Sequence, residues 1–335
     1  MPLKIAVVGI GKVAREEYIP FLATQRDVAL GYFNRTQASA QAAADRFGGE
    51  VFASLAEVAR WQPTAAMVLT SETARYEIGT ELIQLGLPRV FFEKPLVAAG
   101  GQAHVTEADF HNGKKMLNLA AGRHCQTAMV FNYRFFDQTM AAKSIAAARG
   151  FGPVIHVVGL VHFACWSHCI DLIHWFAGDI AEIAALGGRV LRSSPEIHVQ
   201  ANDVAAALRM SGGAAGTLIG SAGMKWQQPL YELIFTFELG RIHMRDLDGT
   251  LEILDGRTQV HESISLVRDT SRWDQYRASF GKAVGAYLQS LRDNRPPPVP
   301  GIDGLRELQV EASLARSIAQ RRPVLVQDEF PLDVT

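Results

Sequence analysis

At 335 residues the chain is too long for one small domain and suits two, and its 48% apolar content is enough for substantial cores. Its 33 basic and 34 acidic residues leave a formal charge of −1, without the Lys/Arg clustering that would favour nucleic acid or an anionic membrane surface. Cys125, Cys165 and Cys169 are too few for a disulfide framework, and no apolar run is long enough to span a bilayer, so a cytoplasmic setting is expected.

The first third alternates short apolar strands with amphipathic helices, the pattern of a parallel sheet. Strands are expected at 3–8, 28–33, 65–70 and 89–92, and helices at 13–24, 37–47, 54–60 and 75–86. The first strand has no charged and apolar leader ahead of it, so no secretion signal is expected. Pro20 should kink or end the first helix. Ser54 with Glu57 reads as a capping box, and Gly48 as a helix stop. A helix interrupted near Gly113 is expected at 102–121, then a last strand and its exit at 129–135.

Beyond a helix at 136–149 the texture changes. Strands are expected at 154–163, 183–191, 202–210, 215–221, 230–237, 241–244 and 250–254, with no helices between most of them, which implies an antiparallel sheet. Helices return at 275–293 and 303–320, joined by the proline-rich loop 295–301. The expected fold is therefore an α/β Rossmann domain, residues 1–125, followed by an α+β domain with an open, mainly antiparallel sheet, residues 126–335. A sheet face without helices cannot stay in water, so a homodimer or homotetramer through it is expected.

The run Gly9-Ile10-Gly11-Lys12-Val13-Ala14 sits between the first strand and the first helix, the context in which GxGxxA carries meaning. Gly9 permits a tight turn, Gly11 lets backbone approach a pyrophosphate, and Ala14 lets helix and strand pack closely. The helix N-terminus at Lys12 and Val13 offers free N–H groups to the phosphates. At the end of the second strand, where an NAD-binding domain needs an acid for the ribose 2′-hydroxyl, stand Asn34, Arg35 and Thr36. An arginine beside small polar residues suits a 2′-phosphate, which favours NADP over NAD.

Glu93-Lys94-Pro95 follows the strand Val90-Phe91-Phe92. Together with GIGKVA, Thr70-Ser71-Glu72, Asn132-Tyr133-Arg134-Phe135, the His168–Gly178 segment and the closing helices, it makes the chain resemble the Gfo/Idh/MocA family of oxidoreductases, which includes glucose–fructose oxidoreductase and inositol dehydrogenase. The resemblance spans essentially the whole chain. It implies an enzyme passing hydride between a nicotinamide cofactor and a sugar, cyclitol or related polyol or ketone held between the domains. It implies cofactor contacts from Thr70, Ser71, Glu72, Glu93 and Lys94, and a Lys94–Pro95 bond that is often cis.

Oxidising an alcohol removes a hydride and a proton, and the proton needs an acceptor within hydrogen-bond reach. Lys94, at the carboxyl end of a parallel strand, is one candidate, since a desolvated lysine trades protons readily. His168 and Asp171 lie one helical turn apart and form the second, a histidine oriented by a carboxylate. The chain departs from the family where an Asp usually precedes the histidine by four residues: Ala164 stands there. The usual glycine loop is missing, which leaves Arg134, His162 and Trp166 as substrate-binding candidates. Arg75 replaces a histidine and is a candidate for the cofactor diphosphate or a substrate acid. The spacing of His162, Cys165, His168 and Cys169 matches no common closed zinc site, so no metal is expected. Two rival readings remain: a non-catalytic sensor of dinucleotide or sugar on the same fold, which the missing Asp favours, and an elimination or glycoside-cleaving enzyme holding NAD(P) tightly.

Overall fold

The computed structural model describes residues 2–194 and 199–334. The chain divides into two compact units, one of residues 1–130, 280–308 and 332–335, the other of 131–279 and 309–331.

In the first unit the strands are β1 (Leu3–Val8), β2 (Val28–Phe33), β3 (Glu50–Phe52), β4 (Ala65–Val68), β5 (Arg89–Phe92) and β6 (Gln126–Met129). They form one wholly parallel sheet in the order β3-β2-β1-β4-β5-β6. Parallel strands need crossovers, and α1 (Ile19–Ala23), α2 (Gln37–Phe47), α3 (Leu55–Arg60), α4 (Glu72–Gln84) and α5 (Glu107–Gly122) supply them. The centre of the sheet is buried on both faces: Val7, Val8, Met67, Val68, Val90 and Phe92 are fully covered. The order reverses between β1 and β4, and the carboxyl ends beside such a switch point are where these sheets bind ligands.

The first crossover departs from the expected continuous helix. Ala14–Tyr18 is a π-helical turn, and the Ile19 N–H reaches back to the Ala14 carbonyl. Pro20 follows in the first turn of α1, where its missing N–H leaves no gap in the ladder. The expected break at Gly113 is absent, and α5 runs through it. A side chain there would meet Leu308 Cδ1 at 2.9 Å, so this glycine serves close packing rather than helix termination. The cap at Ser54 forms as expected: its hydroxyl accepts from Glu57 N at 3.2 Å.

The second unit is built on β7 (Val154–His162), β8 (Ile180–Ser194), β9 (Val199–Met210), β10 (Ala215–Ser221), β11 (Tyr231–Phe237), β12 (Gly240–Arg245), β13 (Leu251–Asp255), β14 (Val260–Ile264) and β15 (Val324–Leu325). Their order is β14-β13-β12-β11-β7-β10-β9-β8-β15, antiparallel throughout except for the parallel pair β7–β10. The helices α6 (Asp137–Ala148) and α7 (Trp166–Ala177) lie in this unit, and α8 (Arg272–Arg292), α9 (Gly301–Gln320) and α10 (Val326–Glu329) complete the chain. Phe176 of α7 stacks on Phe235 of β11, ring centroids 4.5 Å apart, on the helix-covered face. Strand β11 alternates buried and half-buried residues, as a strand covered on one side must. On the other face Leu160, Leu186 and Ile219 are exposed. Among the described residues no helix is long and apolar enough to cross a membrane.

Candidate active site

Gly9 closes β1 with φ +95°, and its N–H donates to the Phe33 carbonyl at 2.9 Å. A Cβ there would stand 2.6 Å from Thr70 N, so only glycine allows the ends of β1 and β4 to come this close. Gly11 differs: among the described residues, nothing beyond its own chain neighbours lies within 4 Å of where its Cβ would be. Its open side is the room a phosphate needs. The Asn34 amide fastens the turn, accepting from Ile10 N at 3.0 Å and donating to the Thr36 carbonyl at 3.0 Å.

These residues border a groove of about 230 Å³ lined by Gly9, Gly11, Asn34, Arg35, Thr36, Thr70 and Ser71, with Phe33, Leu69, Ala74 and Ile78 as apolar walls. Among the described residues, no carboxylate lines it. The apolar wall escaped the sequence reading, although Ala74 and Ile78 are spaced to share a face of α4. Lys12 and Val13 are exposed beyond the turn, and Ala14 is buried beneath it.

The segment after β5 is organised from within the same unit. Glu93 accepts from the Tyr18 hydroxyl at 3.0 Å and from its neighbour's backbone, Lys94 N, at 2.6 Å. The Lys94–Pro95 peptide is cis. The half-buried Lys94 ammonium donates to Gln102 Oε1 at 3.2 Å. Glu72 accepts from Gln102 N at 3.2 Å. Arg75 is buried and turned toward backbone, donating to the carbonyls of Pro95 and, at 2.8 Å, Thr70. Burial pulls its guanidinium below the ordinary arginine value, against the opposing charges of Glu93 and Glu72. Arg75 thus clamps the ends of β4 and β5 together, and it is not among the groove-lining side chains.

In the second unit β7 runs into the short turn Phe163–Cys165 and directly into α7, with no glycine loop between them. His168 is buried, its ring stacked on Tyr133 with centroids 4.0 Å and planes 12° apart. Asp171 binds the Arg134 guanidinium through both carboxylate oxygens, one of them to Nε at 2.8 Å. The carboxylate read from spacing as the partner of His168 therefore holds the arginine read as a substrate ligand. Trp166 lies flat against the sheet, where a Cβ at Gly220 would approach its ring to 2.5 Å. His162 is fully buried and accepts from Ala164 N through Nδ1 at 3.0 Å. The Tyr133 hydroxyl and Cys165 Sγ are 3.1 Å apart. Burial drives the Tyr133 hydroxyl and the Cys169 thiol well above their usual values, so both keep their protons. Among the described residues no group of three or more His, Cys, Asp and Glu is placed to hold a metal ion.

A doubly wound parallel sheet whose glycine turn opens a groove at the strand-order reversal defines the class: a dinucleotide-binding domain of the Rossmann type. Residues 3–131 match the model of the Gfo/Idh/MocA family, an oxidoreductase family with an NAD-binding Rossmann fold. No curated protein matches the chain by sequence. Solved structures match it over nearly its whole length. An oxidoreductase from Agrobacterium radiobacter, in complex with NAD+, L-tartaric acid and magnesium, is 16% identical with a TM-score of 0.81, covering 98% of this chain and 100% of its own. An NAD-binding oxidoreductase from Klebsiella pneumoniae is 16% identical with a TM-score of 0.80, over 97% and 99%. A levoglucosan dehydrogenase, in complex with NADH, is 14% identical with a TM-score of 0.80, over 97% and 99%. At these identities the likeness is one of fold.

Proposed function

We propose that the protein is an NADP(H)-dependent dehydrogenase or reductase acting on a hydroxyl of a sugar, cyclitol or related polyol, or on its ketone. One observation carries the cofactor choice: the groove ends at Asn34, Arg35 and Thr36 and, among the described residues, is lined by no carboxylate. A 2′-phosphate would find a cation and small polar donors there, whereas a bare ribose would lack its acid. Gly9, Gly11, Thr70 and Ser71 would hold the remainder of the dinucleotide, whose nicotinamide supplies the hydride acceptor or donor.

Lys94 and His168 are the proposed proton-handling groups, each fixed within its own unit by the contacts above. Arg134 and Asp171 form a buried charge pair in the second unit, Asp171 lying on the same helix as His168. The levoglucosan dehydrogenase among the matching structures, and a UDP-N-acetylglucosamine 3-dehydrogenase from Acidithiobacillus ferrooxidans, support a sugar-like substrate. The exposed face of the second sheet is proposed as a homo-oligomer interface, and the three buried free thiols accord with a reducing cytoplasm. The test is a screen of sugars, cyclitols and their keto forms with NADP(H), following nicotinamide absorbance. Turnover on a member of this set is expected. Tight dinucleotide binding without turnover on any of them would instead favour a sensor.

A further inference from the structure

The loop between β5 and α5 has a construction that the glycine groove does not explain. Asp109, almost wholly buried, accepts from Ala99 N at 2.8 Å through one oxygen and from Thr106 N and Oγ1 at 2.8 Å through the other, which pins both ends of the loop. Inside it Gly101 N donates to the Ala98 carbonyl at 3.0 Å, and His104 N to the Gly101 carbonyl at 2.9 Å. Gly101 sits at φ +90° beside Glu72. Glu72 holds the middle, its backbone carbonyl accepting from Ala98 N at 3.4 Å and its carboxylate from Gln102 N at 3.2 Å. A loop tied at this many points delivers one side chain to a fixed place, and that side chain is Gln102, whose Oε1 accepts from Lys94 Nζ.

We infer that Gln102 is a positioning residue for Lys94: the loop exists to hold the Lys94 ammonium in a single orientation. The inference rests on the reading of Lys94 as a proton-handling group. An ammonium has donors only, so the Lys94 contact fixes the amide with its oxygen toward the lysine. The titratable groups around the contact are Glu93, which binds Lys94 N and Tyr18; Glu72, which binds the Gln102 backbone; Arg75, bound to the Pro95 carbonyl; Asp109, bound to the loop ends; and His104 on the loop. None of these donates to or accepts from Lys94 Nζ; Gln102 does.

A neutral amide accepting from an ammonium favours the charged amine, so removing it should expose more free amine at a given pH. Reductive methylation of the protein without ligand, read peptide by peptide by mass spectrometry, measures this directly, with exposed Lys115 as internal reference. Gln102→Ala should raise Lys94 labelling by about three- to tenfold relative to Lys115, the range expected for one ordinary, partly solvated hydrogen bond. Gln102→Glu should slow it and move the half-labelling pH upward, because a carboxylate stabilises the ammonium more. Unchanged Lys94 labelling in both folded variants would overturn the inference, and so would a lowered melting temperature with unchanged labelling, the mark of a merely structural glutamine. Should Gln102→Ala fail to fold, Gln102→Glu decides alone, being nearly the same shape. Full turnover by Lys94→Ala would instead refute the role of Lys94, a result that labelling of Gln102 variants does not share.

Discussion

The two glycines of the first turn should fail in opposite ways. Gly9 holds φ +95°, and a Cβ there would lie 2.6 Å from Thr70 N and 2.8 Å from Thr70 Cα, backbone atoms that cannot swing aside. The left-handed conformation costs a non-glycine residue about 1–2 kcal/mol. Forcing β1 and β4 apart adds an overpacking penalty of about 1–3 kcal/mol. Gly9→Ala should therefore lose about 2–5 kcal/mol of stability, visible as a lower urea midpoint without any ligand. Gly11→Ala meets nothing within 4 Å and needs no left-handed backbone, so its stability should stay within about 0.5 kcal/mol of the parent. Its methyl group would, however, occupy the space proposed for the diphosphate. Dinucleotide affinity by fluorescence titration should fall about 10- to 100-fold, roughly 1.4–2.7 kcal/mol. A Gly11→Ala protein binding NADPH like the parent would refute this placement of the phosphates. A Gly9→Ala protein as stable as the parent would refute the close-approach argument.

Arg134→Ala would strip the buried Asp171 carboxylate of its bidentate partner and should cost about 3–5 kcal/mol in urea denaturation, while the paired replacement Arg134→Met with Asp171→Leu should recover most of it. Glu329 is bound by Arg322 at 2.6 and 2.7 Å and by Arg316 at 3.0 Å, and Arg322 above all pulls its carboxyl from 4.5 to about 2. Because the folded value is depressed, its stabilising contribution is complete above pH 4.5 and is lost as pH falls through about 2. Acid titration of the melting temperature should accordingly show a shallower decline over that window for Glu329→Gln than for the parent.

The elements that position the groove were readable because they are local. The apolar run of β1, the glycine turn and the bounds of β2 and β5 each follow from residues within a few positions of one another. The short strands β3, β14 and β15 were not read, because a strand of a few residues at a sheet edge carries little periodicity and forms only when a neighbour offers its hydrogen bonds. The side-chain partnerships were the least legible. Helical spacing relates Asp171 to His168, and nothing in the sequence shows that Arg134, 37 residues earlier, reaches both of its oxygens. Arg75 was a candidate for the cofactor diphosphate or a substrate acid, and its bonds to the carbonyls of Thr70 and Pro95 could not be read from the sequence. Gln102 carries no motif at all; only the fold of its loop reveals the contact with Lys94.

If this Rossmann groove is built for a phosphorylated dinucleotide, a direct binding titration of NADPH against NADH will show it. Charge-assisted contacts from Arg35 should make NADPH bind about 10- to 100-fold more tightly, and Arg35→Asp should reverse the preference by supplying the acid that a free ribose needs. NADH binding as tightly as NADPH to the parent protein, or an Arg35→Asp variant with unaltered preference, would contradict the account.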